Sequence, residues 1–292
     1  MNNKLIKILS ILFIGFIIIV FIYKFDSVNQ LKQRMIDTTK ELMDCISNED
    51  YDGIRGYVKK IDGNELSDEE ISNFLLNTNL HRAMLIGEKE PIFTYKTNVS
   101  FFNTHEGTIL FSYKALDGDE ITNQLKYVYL DDREYFIVDK IQESKIKKKK
   151  YPIAVDLADG KNININESKE NISKKIIFLS YVADENQNVY VEVIENTEED
   201  IKIKFLNKIM DINEKLKENY EGSYIEWNQD KSIISIYYNE SVESNLFTNV
   251  MHLEILSFSY INQVLSGNKD WHLTIKYYDY QTKELLKTTI IR

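Results

Sequence analysis

The first pattern along the chain is a run of apolar residues near the N-terminus. No charged residue occurs from Ile8 to Tyr23, and the apolar stretch from Leu5 to Tyr23 is 19 residues long. A helix needs about 20 residues to cross roughly 30 Å of hydrocarbon. Lys24 and Asp26 follow the run, whereas a cleaved signal peptide would carry small residues there. The pattern therefore predicts one uncleaved transmembrane helix over residues 5–23.

The orientation of this helix is inferred from the charges that flank it. Lys4 and Lys7 precede the helix, and Lys24, Lys32 and Arg34 follow it. A short tail with two lysines is typical of the cytoplasmic side, which places the long C-terminal part outside the cytoplasm. The expected location is the cell membrane, with a single span and an extracytoplasmic body. The alternative is a cytosolic protein with a membrane tether.

Beyond the anchor, the first stretch follows a helical period. Val28, Leu31, Met35, Thr38, Leu42 and Cys45 recur at steps of three and four residues, which predicts a helix with one apolar face. A second, shorter helix is predicted from Asn48 to Lys60. A third begins after Ser67, because Ser67 and Glu70 have the spacing of a capping box.

The period then changes to two. Strands are predicted over residues 92–101, 108–116, 121–130 and 135–141, separated by turn-forming residues. Short connections favour antiparallel hairpins. Helices followed by a meander of about four strands predict an α+β domain.

This order of helices followed by an antiparallel sheet resembles the nuclear-transport-factor-like, or cystatin-like cone, superfamily. The segment Asn48-Glu49-Asp50-Tyr51-Asp52-Gly53-Ile54, between the first two helices, is similar to what such domains carry there. The resemblance covers residues 26 to about 143 and is one of architecture, without a catalytic motif. It implies a cone-shaped domain of the kind found in membrane-anchored Gram-positive envelope proteins. The superfamily includes isomerases and dehydratases as well as many non-catalytic accessory domains.

A second α+β domain is predicted beyond a charged segment. Lys145 to Pro152 combines a lysine run with a proline, and residues 162–173 are polar, so residues 145–174 are expected to form a linker. The second domain, 175–292, follows the pattern hairpin, helix, hairpin, helix, hairpin. Thr197 is expected to cap its first helix, and Gly267 to end the second. The complete division is 1–25 membrane anchor with a short cytoplasmic tail, 26–144 cone-like domain, 145–174 linker and 175–292 second domain.

Composition narrows the function classes. The formal net charge is −10, which argues against a nucleic-acid-binding surface, and the single cysteine excludes a disulfide framework and a cysteine-based zinc site. Cys45 lies past the anchor, so an N-terminal lipid anchor is also excluded. Heavy use of Ile, Lys, Asn and Tyr with five alanines indicates an AT-rich genome, typical of a low-GC Gram-positive bacterium.

No motif in the chain supports a metal, cofactor or catalytic site. Asp184, Asn186, Asn188 and Glu195 match ligand positions of a calcium loop, but the glycine that this loop requires at its sixth position is Val189 here. The four histidines, His81, His105, His252 and His272, lack zinc spacing. We therefore predict no catalytic, cofactor-binding or metal-binding residues, and no cofactor.

An enzyme using the cone would need an acid–base pair inside its cavity. The nearby candidates are Asp119, Glu120, Asp139, His81 and His105, and several of them fall in predicted turns. The lysines from Lys145 to Lys150 admit two interpretations, a solvated linker or a contact with anionic lipid or wall polymer. Tyrosine-rich strands such as Tyr277-Tyr278-Asp279-Tyr280 place aromatic rings on both faces, which suits contact with a protein or polymer.

The sequence thus predicts a non-catalytic, single-pass envelope protein whose exported body binds or scaffolds other envelope components. An aromatic or apolar surface patch without a convergent polar cavity would favour this hypothesis. The expected partners are the membrane and envelope proteins, with no nucleic acid, and a homo-oligomer is an open alternative. Two further functions remain: an assembly subunit of a conjugation or secretion channel, and an enzyme that uses the cone cavity.

Overall fold

The computed structural model consists of two compact units, residues Met1–Ser144 and Lys145–Arg292. It describes residues 3–86, 92–101, 103, 105–130, 133–138, 147–152, 176–184, 189–220, 222–238 and 249–291. Each unit combines helices with antiparallel strands. The predicted α+β class with one long apolar N-terminal helix is therefore confirmed.

The first helix, α1 (Asn3–Ser47), has an exposed half and a buried half. From Phe13 to Phe25 most side chains are exposed and apolar, and the helix is long and apolar enough to cross a membrane. From Val28 onward the helix packs against the first unit, and Met35 and Leu42 are fully buried. The predicted apolar face of this half is confirmed, although Cys45 at its end is only partly buried.

The second helix is shorter than predicted. Helix α2 (Tyr51–Tyr57) begins where the Asp50 carboxylate accepts the Gly53 N–H at 2.9 Å. The chain then becomes extended at Val58, and β1 (Val58–Lys60) pairs in parallel with β5 (Arg133–Val138). The prediction of a helix up to residue 60 was wrong because the β-branched Val58 joins a sheet strand that lies far away in sequence.

The third helix begins as predicted. Ser67 Oγ accepts the Glu70 N–H at 3.3 Å, and the Glu70 carboxylate accepts the Ser67 N–H at 2.9 Å. This capping box precedes α3 (Asp68–Asn77). A 3₁₀ helix, Leu80–Leu85, which the sequence analysis did not predict, follows and is buried throughout.

The sheet of the first unit has the order β1-β5-β4-β3-β2. Strands β2 (Phe93–Val99), β3 (Glu106–Lys114), β4 (Glu120–Leu130) and β5 form the predicted antiparallel meander. Helix α1 packs closely on β3, as the position of Gly107 shows: a β-carbon at this residue would lie 2.8 Å from Met35 Sδ. Glycine at this position allows the long helix to lie against the sheet.

A three-stranded sheet begins the second unit, in the order β6-β8-β7. Its strands are β6 (Lys148–Pro152), β7 (Leu179–Ala183) and β8 (Val189–Ile194). Residues 148–152 therefore form a strand in the segment predicted as a linker, and residues 153–175 lie outside the described part. The lysines of β6 gain partners by this pairing: Lys148 and Lys150 lie 3.4 and 3.3 Å from the Glu192 carboxylate.

The second unit also holds a four-stranded sheet in the order β12-β11-β10-β9. It consists of two antiparallel hairpins, β9 (Tyr224–Trp227) with β10 (Ile233–Tyr238) and β11 (Leu273–Asp279) with β12 (Leu285–Ile291). The central pair, β10 and β11, is parallel.

In the described part of this unit, two helices cover this sheet. Helix α4 (Glu198–Asn219) starts after Thr197, whose hydroxyl donates to the Ile194 carbonyl at 2.7 Å and makes no cap bond, contrary to prediction. Helix α5 (Asn249–Leu265) contacts aromatic side chains on two sides, with Phe258 against Trp227 and Tyr260 against Tyr181. Gly267, at φ +86°, ends α5 as predicted. The predicted start of α5 near residue 241 lies outside the described residues.

Candidate functional site

The helix-facing side of the first sheet is filled with aromatic side chains. Phe111, Tyr113, Tyr127 and Phe136 are at most 1% exposed. Tyr113 donates its hydroxyl to the Asn79 carbonyl at 2.8 Å, and the rings of Tyr127 and Phe136 meet edge to face at 5.7 Å. These rings therefore form part of the hydrophobic core on this side of the sheet.

The acid–base candidates of this unit are dispersed. His105 precedes β3 and stacks on Tyr129, whereas Asp119 lies in the turn beyond the other end of β3. The nine residues of β3 separate these two positions, and the strand alone spans about 26 Å, eight steps at 3.3 Å per residue. Glu120 begins β4 beside Asp119, and Asp139 lies outside the described residues. The described candidates therefore do not form a single acid–base constellation.

His81 is buried in the 3₁₀ helix. Its Nδ1 lies 3.3 Å from the Leu75 carbonyl, and burial lowers the pKa of the imidazole to about 4, with a smaller contribution from the charge of Arg82. A neutral imidazole fixed on a backbone carbonyl contributes to packing near neutral pH. Arg82 itself holds the β3–β4 turn, pairing with Asp117 at 2.5 Å and with Asp119 at 3.0 Å.

A polar cluster connects α1 to β4 and β5. Thr38 donates its hydroxyl to Glu134 at 2.8 Å, and the Arg34 guanidinium lies 4.4 Å from the centre of the Tyr129 ring and 3.8 Å from Glu134. Burial, followed by the charge of Glu134, raises the pKa of Tyr127. The cluster therefore fixes the helix on the sheet through charged and aromatic contacts.

Next to this cluster lies an open cavity of about 750 Å³. Its lining contains charges of both signs, from Lys59, Glu65, Arg133 and Glu134. Lys59 pairs with Glu65 at 3.1 Å, so part of this charge is already balanced inside the lining. A surface of mixed and paired charges offers no single preferred ligand charge.

The second unit has an aromatic surface on the face of the four-stranded sheet opposite the buried Ile234, Ile236 and Ile275. Three tyrosines of neighbouring strands lie in one register: Tyr224 on β9, Tyr237 on β10 and Tyr278 on β11. Their rings stack at 4.4 and 4.9 Å, with interplanar angles of 13° and 15°. We call these three residues the tyrosine row. Leu285 on β12 is 53% exposed and continues it to the edge of the sheet.

A lysine covers one end of the tyrosine row. Lys283 Nζ lies 4.8 Å from the centre of the Tyr237 ring and 4.4 Å from that of Tyr280, and it donates to the Tyr224 hydroxyl at 3.3 Å. Gly222, at φ +81°, allows Tyr280 to reach this position, because a β-carbon at residue 222 would overlap the Tyr280 ring. Cation–π contacts to several rings hold the ammonium group on the aromatic surface.

Strand β12 borders the tyrosine row and forms an edge of the sheet. Among the described residues, no strand pairs with its outer side. Leu285, Leu286 and Ile290 are exposed on it, and Lys287 is its only charged residue. A long, apolar edge strand is a template for pairing with another chain.

Within the described part of the chain, no group of three or more His, Cys, Asp or Glu side chains converges on a metal position. Asp184, from the calcium-loop pattern, accepts the Tyr190 hydroxyl at 3.1 Å, and Val189 starts strand β8. Residues 185–188 and the side chain of His252 lie outside the described part. His272 precedes β11 and is exposed.

The sequence indicates the tyrosine-rich strands but not the tyrosine row. Tyr237 and Tyr278 lie in predicted tyrosine-rich strands, and Tyr224 begins another predicted strand, residues 224–227, but the sequence does not show that the three are neighbours. Their adjacency depends on the parallel pairing of β10 with β11, which are separated in sequence by α5.

No family model, curated protein or solved structure gives a significant match to this chain.

Proposed function

We propose that this chain is a single-pass membrane-anchored envelope protein whose exported body binds other envelope proteins and catalyses no reaction. In this proposal the first unit is a cystatin-like cone, and the anchor is the exposed apolar part of α1. The observation that carries the binding role is the tyrosine row, an aromatic surface that continues through Leu285 to the open β12 edge.

The chemistry of this surface favours a protein partner. The tyrosines cover each other's faces, so a ligand meets ring edges, hydroxyl groups and the apolar Leu285. Tyrosine is enriched at protein–protein interfaces because it combines a large apolar body with a polar tip. An open edge strand beside such a surface supports strand addition, in which main-chain hydrogen bonds provide affinity and side-chain contacts provide specificity.

The topology half of the proposal is tested by thiol labelling in intact cells. Cys45 is replaced by Ser, and Lys269, an exposed residue after α5, is replaced by Cys. We expect a membrane-impermeant maleimide to label this variant in intact cells. Labelling only after lysis would place the body in the cytoplasm and contradict the proposal.

The binding half is tested with a photocrosslinking residue at Leu285 in the full chain, in its own membrane. The same residue at Lys269, exposed on the same unit, is the control. We expect discrete adducts from position 285 that position 269 does not give. Equal adduct patterns at the two positions would contradict a binding role for this surface.

The same experiment separates the channel-subunit alternative from the scaffold. An adduct with twice the mass of the chain would mean that two copies meet at β12, as an assembling subunit requires. The exposed β12 edge is the observation that favours this alternative.

A further inference from the structure

A ring contact joins the apolar helix to a turn of the first unit. The rings of Phe21 in α1 and Phe101 in the β2–β3 connection lie 4.8 Å apart, with an interplanar angle of 35°. From Phe13 to Phe25, nearly all the apolar side chains of α1 are exposed, and burial against the unit begins at Val28. The β2–β3 turn therefore reaches past the point at which the helix leaves the body.

The length of this reach follows from helix geometry. Val28 lies seven residue steps after Phe21, which corresponds to about 10 Å along the helix axis at 1.5 Å per residue. Residues 5–23 span about 28 Å by the same rise, which only just matches a hydrocarbon thickness of roughly 30 Å. The apolar segment has no extra helical turn that would allow Phe21 to lie outside the bilayer. Phe21 therefore belongs at its boundary, and Phe101 lies beside it.

We propose that the β2–β3 turn is a second membrane contact, in which Phe101 inserts into the interfacial layer of the leaflet that α1 leaves. This inference rests on the proposed membrane anchor. Phenylalanine is among the residues that bury an apolar surface at the boundary between headgroups and acyl chains. The contact holds the first unit directly on the lipid surface, so its β2–β3 end faces the membrane and its β3–β4 turn points away.

The position of each end follows from the sheet. Glu106 begins β3 near the β2–β3 turn, and Lys114 ends it at the opposite side of the unit. Eight residue steps at 3.3 Å separate the two by about 26 Å. Lys114 is exposed and therefore provides a matched position far from the proposed membrane surface.

The test is nitroxide accessibility in liposomes, using the full chain with Cys45→Ser and one added cysteine. Labels go to Asn103→Cys, which keeps the Phe21–Phe101 contact, and to Phe101→Cys. Phe16→Cys in the apolar helix and Lys114→Cys are the reference positions. Collision with oxygen, which concentrates in lipid, is compared with collision with a water-soluble nickel chelate.

We expect the labels at 101 and 103 to show more oxygen and less chelate access than the label at 114, with values between those at 114 and 16. If the labels at 101 and 103 have the same oxygen and chelate access as the label at 114, while the label at 16 is exposed to lipid, the second contact is refuted. The membrane anchor is then still supported. Low access to both reagents at 101 and 103, which indicates burial in protein, also refutes it. Chelate access at position 16 would instead refute the anchor itself.

Discussion

Gly53 of α2 lies directly against Cys45 of α1. A β-carbon at Gly53 would lie 2.5 Å from Cys45 Sγ and 2.5 Å from the Asp50 carboxylate that caps the same helix. Gly56, one turn later, has no neighbour within 4 Å of an added β-carbon. Two glycines of one seven-residue helix therefore differ in role: packing requires the first and not the second.

The first prediction compares these glycines. Gly53→Ala should destabilise the first unit by about 1–3 kcal/mol, because the added methyl displaces the cap or the thiol. Gly56→Ala should stabilise it by up to about 1 kcal/mol through helix propensity. The unfolding midpoint in urea is read from the exposure of Cys45, the only thiol in the chain. Similar shifts for both variants would contradict the packing argument.

The second prediction concerns acid stability. Burial lowers the pKa of His81 to about 4 from its ordinary 6.5, so the folded state favours the neutral ring. The resulting stability is complete above pH 6.5 and is lost as the pH falls towards 4, by at most about 3 kcal/mol. His81→Gln keeps a donor for the Leu75 carbonyl and should remove this loss.

The measurement is the urea midpoint between pH 7 and 4.5, with Cys45 exposure read by a pyridyl disulfide that reacts in acid. Glu70 also titrates on the acidic side, because Lys60 and the Ser67 N–H lower the pKa of its carboxyl group. The difference between the parent and His81→Gln isolates the histidine, since both contain Glu70. Parallel pH profiles would refute the assignment to His81.

The third prediction concerns two arginines that each bridge two carboxylates. Arg82 is buried between Asp117 and Asp119, whereas Arg55, between Asp52 and Asp68, has a side chain that is 24% exposed. Lysine cannot reproduce a planar two-sided contact. Arg82→Lys should therefore cost about 1–3 kcal/mol and Arg55→Lys less than about 1 kcal/mol. Equal midpoints for the two variants in the Cys45 assay would show that burial does not set the cost.

Local signals in the sequence were sufficient to predict a helix cap where both hydrogen-bonding residues lie within one turn. Ser67 and Glu70 form the predicted capping box, in which the Ser67 hydroxyl accepts the Glu70 N–H and the Glu70 carboxylate accepts the Ser67 N–H. Thr197 has the same sequence appearance, but its hydroxyl reaches back to the Ile194 carbonyl. The Ile194 carbonyl competes with the N–H groups of the helix for the Thr197 hydroxyl. The residue types alone do not show which of these partners the hydroxyl binds.

The sequence pattern does not predict which strands pair when they lie far apart in the chain. Val58 pairs with Phe136, which lies 78 residues later (136 − 58), so the edge strand β1 was interpreted as helix. The tyrosine row depends on the same kind of information. Alternation assigns Tyr237 and Tyr278 to strand faces, but only the parallel pairing of β10 and β11 places them in contact.

The fourth prediction tests the tyrosine row. Tyr237 stacks on both neighbours, so Tyr237→Phe should keep the stack and change stability by less than about 0.5 kcal/mol. Tyr237→Ser removes both ring contacts and should cost about 1–3 kcal/mol, since an aromatic pair contributes roughly 0.5–1.5 kcal/mol beyond its buried area. Trp227 and Trp271, the only two tryptophans, lie in this unit, so intrinsic fluorescence reports its unfolding.

The same pair of variants separates stability from binding. Both are combined with the photocrosslinking residue at Leu285, in conditions where fluorescence shows the unit to be folded. If the ordered rings form the binding surface, Tyr237→Ser should lose the adducts and Tyr237→Phe should retain them. Loss of adducts in both variants would assign recognition to the hydroxyl group, because Phe preserves the stack. Full retention of the adducts in Tyr237→Ser would show that binding does not require the tyrosine row and would assign it to the main chain of β12.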